Sequence, residues 1–157
     1  MRKGIILDLL IKTVKPNKSP MIDQDLQNAY EKAIYEIFNP PILWSIGDLV
    51  PAIDALLEEH QTTTACLITA HNPKSVIVSV DKNQEQQDLL VQFVEQNEWT
   101  YFTGQGRDSS GSWPSEDSLL ILGLNEIEGT QLGRKFEQNA VVFLEIGKPA
   151  QLLFCTH

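Results

Sequence analysis

Apolar residues recur along this chain with two periods, and the period switches at nearly every cluster of Gly, Pro or Asn. Ile5, Ile6, Leu9, Leu10 and Val14 fall at helical spacing, so residues 4–14 read as a short amphipathic segment for which helix and strand both remain open. Lys15-Pro16-Asn17-Lys18-Ser19-Pro20 then reads as a linker. Leu26, Tyr30, Ala33, Ile34, Ile37 and Phe38 form one apolar stripe behind the acidic start Asp23-Gln24-Asp25, which predicts a helix ended by Asn39-Pro40-Pro41. Ile42–Ile46 predicts a short strand. Asp48 is placed to cap a helix whose first turn accepts Pro51 and whose buried face is Ile53, Leu56 and Leu57.

Thr64–Ala70 is apolar and rich in strand formers, and is read as the central strand, ending at His71-Asn72-Pro73-Lys74. Residues 75–80 alternate, as a short strand or an extended arm would. Asn83 then caps a helix with Leu89, Leu90, Phe93 and Val94 on its apolar face. Trp99–Thr103 reads as a strand and residues 104–116 as a long irregular loop. Ser118–Leu124 reads as a strand, and Asn125-Glu126-Ile127-Glu128 as a capped helix start that Gly129 and Gly133 weaken. Residues 140–146 and 151–155 around Gly147-Lys148-Pro149 predict a β-hairpin. This order predicts an α/β fold: a mixed, partly parallel sheet flanked by helices and ending in an antiparallel hairpin. Residues 1–20 are an N-terminal extension and linker, and residues 21–157 a single domain.

A chain of 157 residues, 42% apolar, suits one domain with a real core. The net charge is −9, unevenly spread. Arg2, Lys3, Lys12, Lys15 and Lys18 against Asp8 leave residues 1–20 with a surplus of four positive charges, and residues 21–157 with thirteen net negative ones. That argues against duplex nucleic acid as a partner. The apolar stretch after Arg2-Lys3 is too short to span a bilayer, is interrupted by Asp8 and lacks a small-residue cleavage pattern, so the expectation is no membrane and a cytoplasmic location. Cys66 and Cys155 sit in apolar runs and read as reduced, buried thiols. No spacing of Cys or His suggests a metal, and no fingerprint suggests a cofactor.

Four ordered blocks carry a resemblance: Leu67-Ile68-Thr69-Ala70-His71-Asn72-Pro73; Ser75, Ser79 and Asn83; Gly106-Arg107-Asp108 with Trp113-Pro114-Ser115-Glu116; and Gly133-Arg134-Lys135-Phe136-Glu137-Gln138-Asn139-Ala140-Val141. Together they resemble an uncharacterised bacterial protein family over roughly residues 26–154. The resemblance implies a bacterial, single-domain protein and no established activity. In that family's pattern the position of His71 is not fixed as histidine, and that of Glu137 is more usually glycine.

Candidate chemistry gathers in three places. His71 and Asn72 stand where the predicted central strand ends: Asn72 would orient a carbonyl or hydroxyl and His71 offers a base near neutral pH, unless the pair simply forms an Asx-type turn. The 104–116 loop holds Arg107 as a fork donor, Asp108 and Glu116 as acid–base groups and Trp113 as a stacking plane; an Arg107–Glu116 ion pair stapling the loop is the alternative. Arg134, Gln138 and Asn139 either line the same strand-end region or satisfy a helix end, with Asn139 as its C-cap. Two functions stay open: a site for a small polar or phosphorylated ligand, with a possible enzymatic role for Asp108, Glu116 or His71, and a non-catalytic interaction protein using segment 4–14 and the Trp113 loop. The first requires Asp108 or Glu116 to converge with Asn72 in a concave pocket.

Overall fold

The structure, a computed structural model, describes residue 28 and residues 31–73, 77–110 and 114–155. Segment 4–14, the 15–20 linker and Trp113 therefore lie outside the described residues. The strands are β1 Ile34–Phe38, β2 Pro41–Trp44, β3 Thr64–Thr69, β4 Tyr101–Arg107, β5 Glu116–Leu122, β6 Ala140–Glu145 and β7 Gln151–Phe154. Three helices lie wholly within the described residues, α1 Pro51–Glu59, α2 Val80–Gln96 and α3 Glu126–Lys135. All seven strands form one curled, half-barrel sheet in the order β2-β1-β4-β5-β3-β6-β7.

Every pairing in that sheet is antiparallel, which overturns the partly parallel sheet expected from the alternation of strands and helices. The reason lies in the crossovers. β3 and β4, joined through α2, do run in the same direction, but β5 occupies the slot between them. β5 and β6, joined through α3, likewise flank β3. The α2 and α3 connections thus each skip one strand, and the skipped place is filled by an antiparallel one. β3-α2-β4-β5-α3-β6 has the connectivity of a ferredoxin-like split βαβ unit, with the β1–β2 hairpin added beyond β4 and β7 beyond β6.

The helix predicted over residues 26–38 is also corrected. Asn28, Glu31 and Lys32 are helical, but Ile34–Phe38 is strand β1. Its burial has period two: Ala33, Tyr35 and Ile37 are buried, and Phe38 is exposed. β4 runs on to Arg107 and β5 starts at Glu116, so residues 104–107 and Glu116 of the expected loop belong to strands, Gly104 and Gly106 among them. Residues 77–79 belong to no strand. Neither Asp48 nor Asn83 is an N-cap. Asp48 accepts from the Ser45 N–H at 2.9 Å, and the cap of α2 is Ser79, whose hydroxyl accepts from the Lys82 N–H at 3.1 Å.

The sheet buries both faces. On one, α1 sets Ile53, Leu56 and Leu57 against Tyr35, Ile37, Trp44, Ala65, Leu67, Leu120, Leu122, Val142 and Leu144. On the other, Leu90 and Val94 of α2 and Leu132 of α3 pack on Cys66, Ile68, Leu119, Ile121 and Val141. α3 starts with a complete capping box, Asn125 and Glu128 bonding each other's backbone N–H. Its glycines, which weaken it as an isolated helix, let it sink onto the sheet: a Cβ at Gly129 would lie 2.8 Å from Cys66 Sγ, and one at Gly133 would lie 2.5 Å from Cys155 Sγ. Cys66 and Cys155 are free buried thiols; burial pushes Cys155 up to about 11 against the pull of Arg134, and holds Cys66 higher still.

All three helices close in one way. The residue after each C-cap, Gln61, Glu98 or Glu137, has φ of 58°, 57° or 58°, and paired backbone bonds such as Glu98 N–H to Glu95 O and Trp99 N–H to Val94 O complete a Schellman motif. The C-cap of α3 is Phe136, so Asn139 does not cap it, and Glu137 holds the left-handed position where glycine fits most easily.

Two stability measurements follow. Glu98→Gly removes a left-handed non-glycine residue on the exposed surface and is expected to raise unfolding free energy by about 0.5–1 kcal/mol in denaturant titration. Gly133→Ala, normally favourable in a helix by roughly 1 kcal/mol, is expected to destabilise by about 1–3 kcal/mol through the clash with Cys155 and Val141, with partial recovery in a Gly133→Ala, Cys155→Ala double variant.

Candidate functional site

Insertion of β5 between β3 and β4 brings the end of β3 against the start of β5. Thr69 Oγ1 donates to the Asp117 carbonyl at 2.7 Å and accepts from the His71 N–H at 3.1 Å, fastening the two strands where pairing stops. The chain then turns through Asn72, at φ 48° and 2% exposed. A left-handed conformation suits asparagine better than most residues, and it points this amide inward.

Asn72 is the hub of a buried polar knot. Its N–H donates to Asn83 Oδ1 at 2.7 Å. Its Oδ1 accepts from the Val78 N–H at 3.1 Å and from Asn83 Nδ2 at 3.2 Å. Its Nδ2 donates to Glu116 Oε2 at 2.9 Å. Two more buried amides brace the surrounding backbone. Gln87 Oε1 accepts from the Ala70 N–H at 3.1 Å, and Gln138 Nε2 donates to the carbonyls of His71 at 3.0 Å and Phe136 at 3.3 Å. Burial of this many polar groups is tolerable because their donors and acceptors find one another.

Glu116 is itself 2% exposed. Along the sheet, Tyr35 pairs with Gly106 and Gly106 with Glu116, so the residue between the phenol and the carboxylate contributes no side chain. Burial, and then the negative charge of Glu116, push the Tyr35 hydroxyl above its usual range.

The knot forms one wall of a cleft of about 220 Å³, lined by His71, Asn72, Asn83, Glu116, Asp117 and the first turn of α2, with Pro114 and Ser115 at its mouth. Burial holds the His71 imidazole below its ordinary value, opposed by the Asp117 carboxylate, so the ring is neutral at neutral pH. Two larger concavities exist, about 340 Å³ between α2 and α3 around Phe93 and Lys135, and about 490 Å³ beside Ile46 and the β6–β7 turn. Neither is lined by a buried polar side chain, so of these three the smaller cleft is the one with chemistry. Among the described residues no three His, Cys, Asp or Glu side chains gather to hold a metal ion.

Of the residues singled out from sequence, the structure brings His71, Asn72 and Glu116 together at the cleft, with Gln138 bracing His71 from behind. The others go elsewhere. Arg107 follows Gly106 in β4 and so faces the opposite side of the sheet from Glu116; its Nε bonds Glu36 Oε2 at 3.2 Å, alongside Gln105 Nε2 at 2.5 Å. The loop-stapling Arg107–Glu116 pair is therefore replaced by a cross-strand pair with Glu36. Asp108 is buried and accepts from the Ser110 hydroxyl, outside the cleft lining. Arg134 is exposed in the last turn of α3, and the Asn139 carbonyl accepts from the Cys155 N–H at 2.8 Å. The reading of Trp113 lies outside the described residues.

Asn83, Gln87 and Tyr35 were missed as site residues. A signal existed for two of them: Asn83, Gln87, Leu90 and Val94 share the buried face of α2, and polar residues on an otherwise apolar stripe mark a buried network.

A family model described as "Protein of unknown function (DUF3293)" matches residues 68–141. The similarity to an uncharacterised family is thus borne out over that stretch, which contains the whole knot from Asn72 to Gln138. No curated protein and no solved structure matches the chain. No helix among the described residues is long and apolar enough to cross a membrane.

His71 makes the site's pH dependence testable. Its folded value lies below 6.5, so the unfolded chain binds the proton more readily, and the stability from the neutral ring is full above that pH and lost as pH falls through it. Between about pH 7.5 and about pH 5, wild type is expected to lose more unfolding free energy than His71→Gln. Equal losses in urea titrations would remove His71 as the group responsible.

Proposed function

We propose that the Asn72–Glu116 cleft binds a small polar ligand, and that Glu116 accepts the ligand's hydrogen-bond donor. The observation that carries this reading is the 2.9 Å bond from Asn72 Nδ2 to Glu116 Oε2 in the wall of a concave site. A carboxylate this deep is costly to bury, and it is held in one orientation by an amide that is itself held by Asn83 and the Val78 backbone. Such preorganisation suits recognition, because little ordering remains to be done on binding.

The volume favours a ligand smaller than the drug-sized molecules that occupy roughly 300–1,000 Å³. The described lining argues against the phosphorylated class and against duplex nucleic acid, since it includes Glu116 and Asp117 and, among the described residues, neither Lys nor Arg. Neutral His71 opposite a buried carboxylate supplies the pair of groups needed to move a proton on a bound ligand. The rival reading as an interaction protein rests on segment 4–14 and Trp113, and nothing among the described residues favours it.

The test is a thermal-shift screen of the full chain against small amides, amines, polyols, amino acids and phosphate compounds, run in parallel on Glu116→Gln. A true ligand at about a hundred times its Kd is expected to stabilise wild type by about 2.7 kcal/mol and Glu116→Gln by far less. Ligand-induced shifts of equal size in both proteins, or none in either, would sink the assignment.

A further inference from the structure

We infer that residues 4–14 dock on their own domain, with the apolar side chains Ile5, Ile6, Leu9, Leu10 and Val14 filling the groove of about 490 Å³ beside the β6–β7 turn. The inference is independent of the cleft at Asn72. Ile46, Pro149, Ala150, Leu152 and Phe154 supply the apolar walls of the groove, which follows β7, the last strand of the sheet. Ile46 and Leu152 are only partly buried there, although both pack on the core that α1 covers. Natural sheets cover or blunt such an edge.

The path of the chain selects the occupant. The chain enters β1 through Ala33, whose carbonyl accepts from the Ser45 hydroxyl at 2.8 Å. Ile46, the residue after Ser45, lines the groove, and the Gly47 N–H donates to the Ala150 carbonyl at 2.8 Å. The point of entry is therefore next to the groove. Nineteen residue steps separate Val14 from Ala33, a reach of about 28 Å if wholly helical and about 60 Å if extended, so segment 4–14 arrives at the groove in either form. Tethering of this kind gives an effective concentration on the order of millimolar, which a separate copy at micromolar concentration lacks. Charge favours the same occupant. Around the groove, Asp48 accepts from the Ser45 N–H, Asp54 accepts from the Gly147 N–H at 3.1 Å and Glu145 pairs with Lys148 at 3.4 Å, three acids against one lysine. Residues 1–20 carry a surplus of four positive charges.

The experiment attaches a nitroxide to the full chain and follows the broadening of the backbone NMR signals of residues 4–14. One sample carries it on Leu49→Cys, exposed and next to Asp48 at the groove, and another on Ile127→Cys, exposed on the α3 side of the sheet. Cys66 and Cys155 are buried and stay unlabelled. The label at position 49 is expected to broaden the signals of residues 4–14 severalfold more than the label at position 127. Leu9→Asp combined with Leu10→Asp, which changes only the segment, is expected to erase that difference. Nitroxide-bearing chain without isotope, mixed with isotope-enriched chain without nitroxide, is expected to leave the signals sharp. Equal broadening from both labels, or none from either, would overturn the inference. Broadening seen only in the mixed sample would make a second copy the occupant, and the inference would fall. A difference that survives the double aspartate variant would show that apolar packing in the groove is not what holds the segment, which overturns it too.

Discussion

A carboxylate taken out of water needs hydrogen-bond donors close by, because its desolvation costs several kcal/mol and is recovered only by well-placed partners. Glu116 opens β5 almost completely buried, and the architecture at this end of the molecule meets that requirement. Asn72 delivers an amide N–H to it, Asn83 fixes Asn72 from two directions, and Gln138 and Thr69 pin the backbone on either side. The cleft is therefore a by-product of holding one acid in place.

The topology explains why those groups meet although they are scattered along the chain. Because the α2 crossover skips a strand, β5 slides in beside β3, and the first residue of one strand lies next to the turn that ends the other. α2 leaves from the same turn and presents Asn83 and Gln87 on the face it lays against the sheet. α3 returns the chain to β6 through Gln138, which reaches back to His71. In a parallel sheet, strand carboxyl ends would gather along one edge and supply a site there. Here one strand's end meets another's beginning, and the site is confined to that junction.

Much of this was legible from residues. The apolar runs of β3, β5 and β6, the capping box at Asn125–Glu128 and the turn at Asn72 can all be read from local pattern. What local pattern cannot contain is which strand fills a skipped slot, since that is decided by pairing between segments about fifty residues apart, as in Thr69 with Ser118. The same limit misplaced β1. Leu26 through Phe38 carries apolar residues at both three- and two-residue spacings, and only the partnership of Tyr35 with Trp44 and Gly106 selects the strand. Arg107 illustrates the cost for the site. One residue of register sends it to the opposite face from Glu116, where Glu36 takes it, although the two seemed neighbours across a loop.

Asn72 also shows how local strain and the network trade off. A left-handed backbone costs a non-glycine residue on the order of 1 kcal/mol, and glycine would remove that cost. Glycine would also remove three side-chain hydrogen bonds, to Glu116, Val78 and Asn83, each contributing about 0.5–1.5 kcal/mol and the first, to a charged group, about 1.5–3. The bonds outweigh the strain severalfold, so asparagine is the stabler choice as well as the one that shapes the cleft. At Glu98 the same backbone conformation occurs on an exposed helix end, with no buried carboxylate depending on it. The same φ therefore reads as a tolerated defect in one place and as part of the site in the other, and what separates them is the acid that Asn72 holds.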